Sequence, residues 1–328
     1  MVTIDAKDRK LLYHLDLNCR QSNTQIGKKV GLKKDVVAYR IKKMEDEGII
    51  TGYWTNIDSY RFGYDVYRYY LILQNAASEI KEEIVKYIAT YGDTWVVGAV
   101  KSIYDISAVF WVNNTSKFYQ FWDNLNERYG DYISDKLFSV YLQADVYPLS
   151  FLLKEEYPQA DRETYMEENG SGEVISIDEM DYRLLEAIAD DARMPLVDLA
   201  ERIGCSSQTA RYRIDSLMKK GVIQGFHIGL NHEKLGLKHF KIDIWLKEVS
   251  KRKKLWEFFR KIPHVTFINT SAGYADIEIE CIVNSSDDII QFMDKIYAHH
   301  PNAIRKYIYW STYKLHMIQC LPKLSFTK

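Results

Sequence analysis

Seven basic side chains fall within residues 28–43: Lys28, Lys29, Lys33, Lys34, Arg40, Lys42 and Lys43, opposed only by Asp35. Ammonium and guanidinium groups at this density neutralise phosphates, the main source of non-specific affinity for nucleic acid. Together with Tyr39 they are candidate contacts to a DNA backbone. The stretch 201–216 repeats the layout with different chemistry. Its bases are Arg202, Arg211 and Arg213, set against Glu201 and Asp215. It also gathers Ser206, Ser207, Gln208 and Thr209 beside Arg211, groups able to hydrogen-bond the edges of bases. For any one of these residues a solvated helix face is the plain alternative. For the lysine cluster as a whole that alternative is weak.

Other chemistry finds little support. There is no Ser–His–Asp, P-loop or H-E-x-x-H pattern. Cys19, Cys205, Cys281 and Cys320 lie far apart with no C-x-x-C pair, which argues against a zinc site or a disulfide framework and suits a reducing cytosol. No enzyme activity, metal or cofactor is therefore expected. The 328 residues, 47% hydrophobic and 27% charged with a net charge of −1, suit a globular protein of several domains. No apolar run approaches the ~18 residues of a membrane span, and the first ten residues show no signal-peptide pattern, so a cytoplasmic location is expected. The 25 tyrosines belong more naturally to cores and interfaces than to base stacking.

The two polar clusters must be positioned by one module used twice. Sliding Ile4–Gly63 onto Ile177–Gly236 superimposes Ile4-Asp5-x-x-Asp8-x-x-Leu11-Leu12 on Ile177-Asp178-x-x-Asp181-x-x-Leu184-Leu185. The same shift aligns Arg20 with Arg193, Tyr39-Arg40-Ile41 with Tyr212-Arg213-Ile214, and Gly48-Ile49-Ile50-x-Gly52 with Gly221-Val222-Ile223-x-Gly225. Repetition of this kind sets the architecture. Asp5 and Asp178 predict helix caps, with Leu11, Leu12 and Leu15, or Leu184, Leu185 and Ile188, on one face. A capping box at Ser22-x-x-Gln25 opens a second helix in the first copy, and Pro195 opens it in the other. Gly31 and Gly204 end it. A third helix is predicted over 34–47 and 207–220. Ile49–Tyr53 and Val222–Phe226 then read as a short strand and turn, the place for a wing. Three helices with a glycine turn before the third make a helix-turn-helix, whose third helix enters a major groove. A three-helix bundle that binds protein or only dimerises is the bland alternative, which the paired copies and the basic cluster disfavour.

Each module is followed by the order βαββαβ. In the first copy the elements are predicted at 66–74, 78–91, 94–100, 105–112, 115–129 and 136–147. In the second they fall at 239–246, 250–262, 265–269, 276–283, 286–298 and 305–315. This is the split βαβ, ferredoxin-like arrangement, of the α+β class. Glu278 and Glu280 alternate with Ile277, Ile279 and Cys281, and read as a solvated outer face rather than a metal site. Residues 154–176 carry seven acids against Lys154 and Arg162 with Gly170 and Gly172, and read as a mobile acidic linker. The domains expected are winged helix-turn-helix modules at 1–63 and 177–236, ferredoxin-like domains at 64–153 and 237–328, and the linker between.

A helix-turn-helix followed by βαββαβ resembles the Lrp/AsnC (feast/famine) family of transcription regulators. The opening Ile-Asp-x-x-Asp-x-x-Leu-Leu, Arg20 and Arg193, and the Tyr-Arg-Ile…Gly-Ile/Val-Ile-x-Gly run carry the resemblance, which covers nearly the whole chain twice. The family has one such unit per chain and dimerises through its effector domains, so this chain looks like that dimer fused into a pseudo-dimer, with further homo-oligomers open. The resemblance implies double-stranded DNA as partner and a small effector, commonly an amino acid, held at a Gly-x-x-Asp turn. Gly273-Tyr274-Ala275-Asp276 matches that turn. Ser102-Ile103-Tyr104-Asp105 lacks the glycine, so the second copy is the better candidate, with Gly273, Tyr274 and Asp276 as its contacts and Ser102 and Asp105 as the weaker counterparts. A tight turn whose Asp bonds backbone is an equal alternative. Siroheme decarboxylases share this architecture in paired or fused form; here Arg68 and His239 stand on the first strands of the effector domains without clustered histidines. A ligand-free architectural DNA-binding protein is the third reading.

Overall fold

The computed structural model describes residues 4–156, 162, 166–170 and 172–324. Helices α1 (Ala6–Leu17), α2 (Asn23–Val30) and α3 (Lys34–Asp46) form the first module, followed by strand β1 (Ile50–Ile57). Asp5 caps α1 in a reciprocal box with Asp8, and Ser22 caps α2 with Gln25. Gly31 ends α2 at φ 69°, the left-handed conformation that a side chain disfavours. The second module follows the same plan after the elements that intervene.

Those elements are β2 (Asp65–Leu73), α4 (Ser78–Ala89), β3 (Thr94–Lys101), β4 (Ile106–Val112), α5 (Thr115–Tyr129), β5 (Ile133–Val146) and the short β6 (Met166–Asn169). The second module has α6 (Glu179–Ile188), α7 (Leu196–Ile203), α8 (Ser207–Lys219) and β7 (Ile223–Leu230). The last stretch has β8 (Lys238–Leu246), α9 (Arg252–Phe259), β9 (Val265–Ala272), β10 (Ile277–Val283), α10 (Ser286–His299) and β11 (Ile304–Ile318).

The two modules share one core, in which Leu11, Leu12 and Leu15 of α1 and Leu184, Leu185 and Ile188 of α6 are all buried. The turn expected at Gly52 and Gly225 does not form. Each segment runs on as an eight-residue strand, and β1 and β7 pair antiparallel with Tyr53 opposite Ile228 and Thr55 opposite Phe226. A lone strand leaves a row of amides and carbonyls unpaired; each module satisfies the other's.

The ferredoxin-like halves are joined in a similar way. Strands β2, β4, β3, β11, β8, β10, β9 and β5 form a continuous antiparallel series, and β5 pairs back onto β2 to close the ring. Two strands are long enough to serve both halves. Residues 133–140 of β5 pair with β2 and residues 140–146 with β9; β11 divides likewise between β8 and β3. Alternate side chains face outward and inward. Tyr67, Tyr69 and Leu71 pack outward with α4 and α5, and Phe240, Ile242 and Ile244 pack outward in the core of α9 and α10. Between them, inside the ring, lie Arg68 and Lys241.

Two expectations need correction. Of the linker expected over 154–176, part lies outside the described residues, but what is described is tied down. β6 pairs with β5 through Gln143↔Asn169 to Val146↔Met166, and the buried Arg162 guanidinium donates to the carbonyls of Pro148 at 3.0 Å and Val265 at 2.6 Å. Glu278, read as solvated, is fully buried inside the ring. The alternation at 277–281 is legible in the sequence, but a closed ring has no wet face on its inner side.

Candidate nucleic-acid interface

Helix α3 buries Val37, Ile41 and Met44 and turns Lys33, Lys34, Tyr39 and Lys43 outward. Tyr39 is 69% exposed and its counterpart Tyr212 on α8 is 73% exposed, uncommon for bare tyrosines and suited to a surface that a partner covers. Lys28 and Lys29, at the end of α2, join the same exposed basic surface. Lys42 is paired with Asp46 at 2.8 Å. On α8, Gln208 and Arg211 are exposed and Ser207 is half-buried.

Four of the candidate contacts have structural duties instead. Arg40 donates to Asp5 and to Asp8, both at 2.7 Å, and these hydrogen bonds to the two carboxylates hold its guanidinium above its ordinary pKa. Arg213 repeats the arrangement with Asp178 at 2.8 Å and Asp181 at 2.6 Å. Each arginine clamps the third helix of its module to the capped start of the first, which explains why Tyr-Arg-Ile and Ile-Asp-x-x-Asp recur together. Ser206 caps α8 by accepting the Thr209 amide at 3.1 Å, and the two hydroxyls bond each other at 2.8 Å. These groups are spent within the module, so Arg40, Arg213, Ser206 and Thr209 are withdrawn from the set of free contacts.

The residues that join the modules went unassigned in the sequence. The Cys19 amide donates to Phe226 O at 2.8 Å, and reciprocally the Ala192 amide donates to Tyr53 O at 3.0 Å. Arg20 donates to Ala192 O at 2.6 Å and lies over the Phe226 ring; Arg193 bonds Asn23 at 3.2 Å and lies over Tyr53. The Thr55 hydroxyl donates to Ile188 O at 2.6 Å. His227 Nδ1 lies 2.6 Å from Asp16 O; burial pushes its imidazole down to about 4, against the pull of the Asp16 carbonyl. The recurrence of Arg20 as Arg193, with an aromatic residue at 53 and 226, was the available signal. Only the pairing of the modules shows what it is for.

The turns expected to hold an effector are also otherwise engaged. Asp105 accepts the Leu73 amide at 2.9 Å and pairs with Lys81 at 3.1 Å. Asp276 accepts the Leu246 amide at 2.8 Å and has Arg252 at 3.6 Å. Both carboxylates therefore pin the turn to the end of a neighbouring strand. Gly273 has φ 90°, and a Cβ there would sit 3.1 Å from Phe138 O, so its close approach is to β5. Ser102 is exposed. The Tyr274 hydroxyl points into the ring, donating to Asp243 at 2.8 Å.

The centre of the ring is a dense ionic cluster. Arg68 meets Glu278 at 2.5 Å and donates to Tyr141 at 2.8 Å and Ser139 at 3.1 Å. Lys241 lies 2.5 Å from Glu278 and 3.5 Å from Asp243, which also accepts from Trp310 at 2.8 Å. Burial opposes the charge on Glu278, but Arg68 and Lys241 outweigh it and hold the carboxyl below its usual range. The buried cations and anions balance. His239, outside this group, pairs with Glu280 at 2.9 Å. Among the described residues no cluster has the makings of a metal site.

A family model described as winged helix-turn-helix DNA-binding matches residues 4–51 and again 177–224. An uncharacterized HTH-type transcriptional regulator of Pyrococcus furiosus is 29% identical over 123 residues, 37% of this chain and 82% of that protein. A proline dehydrogenase transcriptional activator of Rhizobium radiobacter is 33% identical over 114 residues, 34% of this chain and 72% of that protein. Among solved structures, a siroheme decarboxylase aligns with a TM-score of 0.63 at 12% identity, over 97% of this chain and 94% of the other. At that identity the likeness is one of fold.

Proposed function

Because the chain belongs to the Lrp/AsnC family of transcription regulators, we propose that it binds double-stranded DNA, presenting α3 and α8 as a paired reader within one polypeptide. The observation that carries this is the pairing of β1 with β7, which fastens two helix-turn-helix modules into one unit with their third helices outward. A two-fold pair of readers suits a palindromic site. In this reading Lys28, Lys29, Lys33, Lys34 and Lys43 anchor the first half-site through phosphates, with Tyr39 beside them. Ser207, Gln208 and Arg211 discriminate bases in the second. Replacing Lys33, Lys34 and Lys43 together by Gln should weaken binding to every sequence. It should also lower the salt dependence by about one unit of slope for each phosphate left without its lysine. Equal affinity for parent and variant at all salt concentrations would remove the claim.

Effector control is the finer part of the reading. Asp105 and Asp276 hold strand ends together, so an amino acid that bound at either turn would have to displace Lys81 or Arg252. A thermal-shift screen of amino acids on the parent and on Asp276→Asn tests this through mass action; a ligand whose stabilisation disappears in the variant would restore the turn as a site. Action on a haem precursor is the competing reading, favoured by the whole-chain likeness in fold. The ring centre argues against it, being filled by paired charges and aromatic rings. Siroheme mixed with the purified chain should keep the spectrum of the free pigment, and a shifted spectrum would favour the enzyme.

A further inference from the structure

Between the two helix-turn-helix modules lies a pocket of about 520 Å³ that the DNA reading touches only through Arg211. One wall is the turn after α1 and the start of α2; the other is the start of α7 and one side of α8. Three arginines line it, Arg20, Arg193 and Arg211, against one acid, Asp215, a surplus of two positive charges. Arg20 and Arg193 are held in place by the bonds to Ala192 O and Asn23 already described. Arg193 keeps a buried nitrogen, Nη1, with no hydrogen-bond partner. Arg211 makes no hydrogen bond or ion pair with the described residues and is exposed. Burial, with Arg211 and Arg193 close by, lowers the Arg20 guanidinium below its ordinary range despite Cys19 and Asp191. Between the arginines the lining is apolar: Met194, Leu196, Ile214, Met218 and Phe226.

We propose that this pocket binds a small organic phosphate monoester, its dianionic head among the three guanidiniums and its apolar body against Met218 and Phe226. The charge decides the class. A monoester carries close to two negative charges at neutral pH, which matches the surplus; a DNA phosphodiester carries one. Guanidinium forks suit phosphate oxygens in pairs of parallel hydrogen bonds. The volume lies within the range of small-molecule sites, and orthophosphate alone would leave much of it empty. The matching positions in the first module do not repeat the site. Ala38 stands where α8 has Arg211, and Glu45 where it has Met218, and Glu45 accepts the Tyr53 hydroxyl at 2.6 Å. The pocket touches both modules, so an occupant bridges the two readers. That regulatory consequence rests on the DNA reading, whereas the binding itself does not.

The test is calorimetry on the full chain without DNA, with phenyl phosphate, inorganic phosphate and phenol as probes. Phenyl phosphate should bind at least about ten-fold more tightly than inorganic phosphate, and phenol should not bind. Arg211→Gln should weaken phenyl phosphate about ten-fold or more, Arg211→Lys less so, since an ammonium keeps the charge but not the fork. Met218→Glu, which copies the first module, should abolish binding. Unchanged thermal unfolding of the Arg211 variants would show that the fold is intact. Phenyl phosphate binding no better than phenol, or binding that ignores Arg211→Gln, overturns the proposal. So does a third result, in which no small probe binds while Arg211→Gln weakens DNA binding; the arginines would then serve the DNA backbone.

Discussion

The two halves share a fold and divide its chemistry unequally. In the helix-turn-helix modules the first copy holds the basic cluster and the second the cluster of small polar groups. In the ring the first half again supplies positive charge, through Arg68, whereas the second supplies Lys241 with the two acids Asp243 and Glu278. At positions related by the repeat, Arg68 matches Lys241 and Tyr70 matches Asp243. Two first halves placed together would bury two arginines without an acid, and two second halves would bury an excess of carboxylates. Only unlike halves give neutrality. A symmetric dimer must make each surface complementary to itself, and duplication within one chain removes that constraint.

The largest test of this asymmetry is Arg68→Leu. It leaves Glu278 and Asp243 with Lys241 alone in a buried site, and should cost about 3 kcal/mol or more in denaturant unfolding. Arg68→Leu combined with Glu278→Leu should recover part of that loss, because the partner charge goes with it. A double variant less stable than the single would mean that the cluster does not act through charge balance.

Next in size is a pH effect of His227, in the second module. His227 has an ordinary value of 6.5 and sits at about 4 in the fold. Between those values the unfolded chain binds a proton that the folded chain refuses. The stability is therefore present above pH 6.5 and is lost as pH falls towards 4, by up to about 3 kcal/mol at ~1.4 kcal/mol per unit. The first module has Trp54 at this place, so His227→Phe should flatten that part of the curve. An unchanged slope would assign the acid sensitivity elsewhere.

Gly273→Ala should destabilise by roughly 1–2 kcal/mol, since its backbone is left-handed and the new Cβ would press on Phe138 O. Ser102→Ala, at the matching turn, should be close to neutral. Smallest of all, Arg40→Ala and Arg213→Ala should each cost no more than about 1 kcal/mol, being partly exposed ion pairs, and should leave the salt dependence of DNA binding unchanged. A slope lowered by about one unit in Arg40→Ala would return that arginine to the DNA contacts.

Much of the fold could be read from local signals. Asp5 and Asp178, Ser22, and the glycines at 31 and 204 act within a turn or two of themselves, and the alternation in each strand needs only its own neighbours. What escaped was set by residues far apart. Gly52 and Gly225 look like turn formers until a second copy of the strand lies alongside. Glu278 looks solvated until Arg68 arrives from the other half. Arg40 and Lys43 are equally basic on paper; the placement of Asp5 and Asp8 makes a clamp of the first, while the second stays exposed beside Glu47 at 3.8 Å. The site was legible as a region and not as a set of residues.

The last junction to be synthesised is that of β11 with β3, where Ser311 pairs with Lys101, and it fixes a schedule. A ribosome makes the first half, with β2, β3, β4 and β5, well before β8, β9, β10 and β11 exist. Until they emerge, the edges of β3 and β5 have no permanent neighbour, and Arg68 keeps its charge in water rather than against Glu278. The first half can pack its outer helices while it waits, but it cannot dry its inner face. The interval of synthesis is therefore when this protein is open to chaperones and to mispairing with a neighbouring nascent chain.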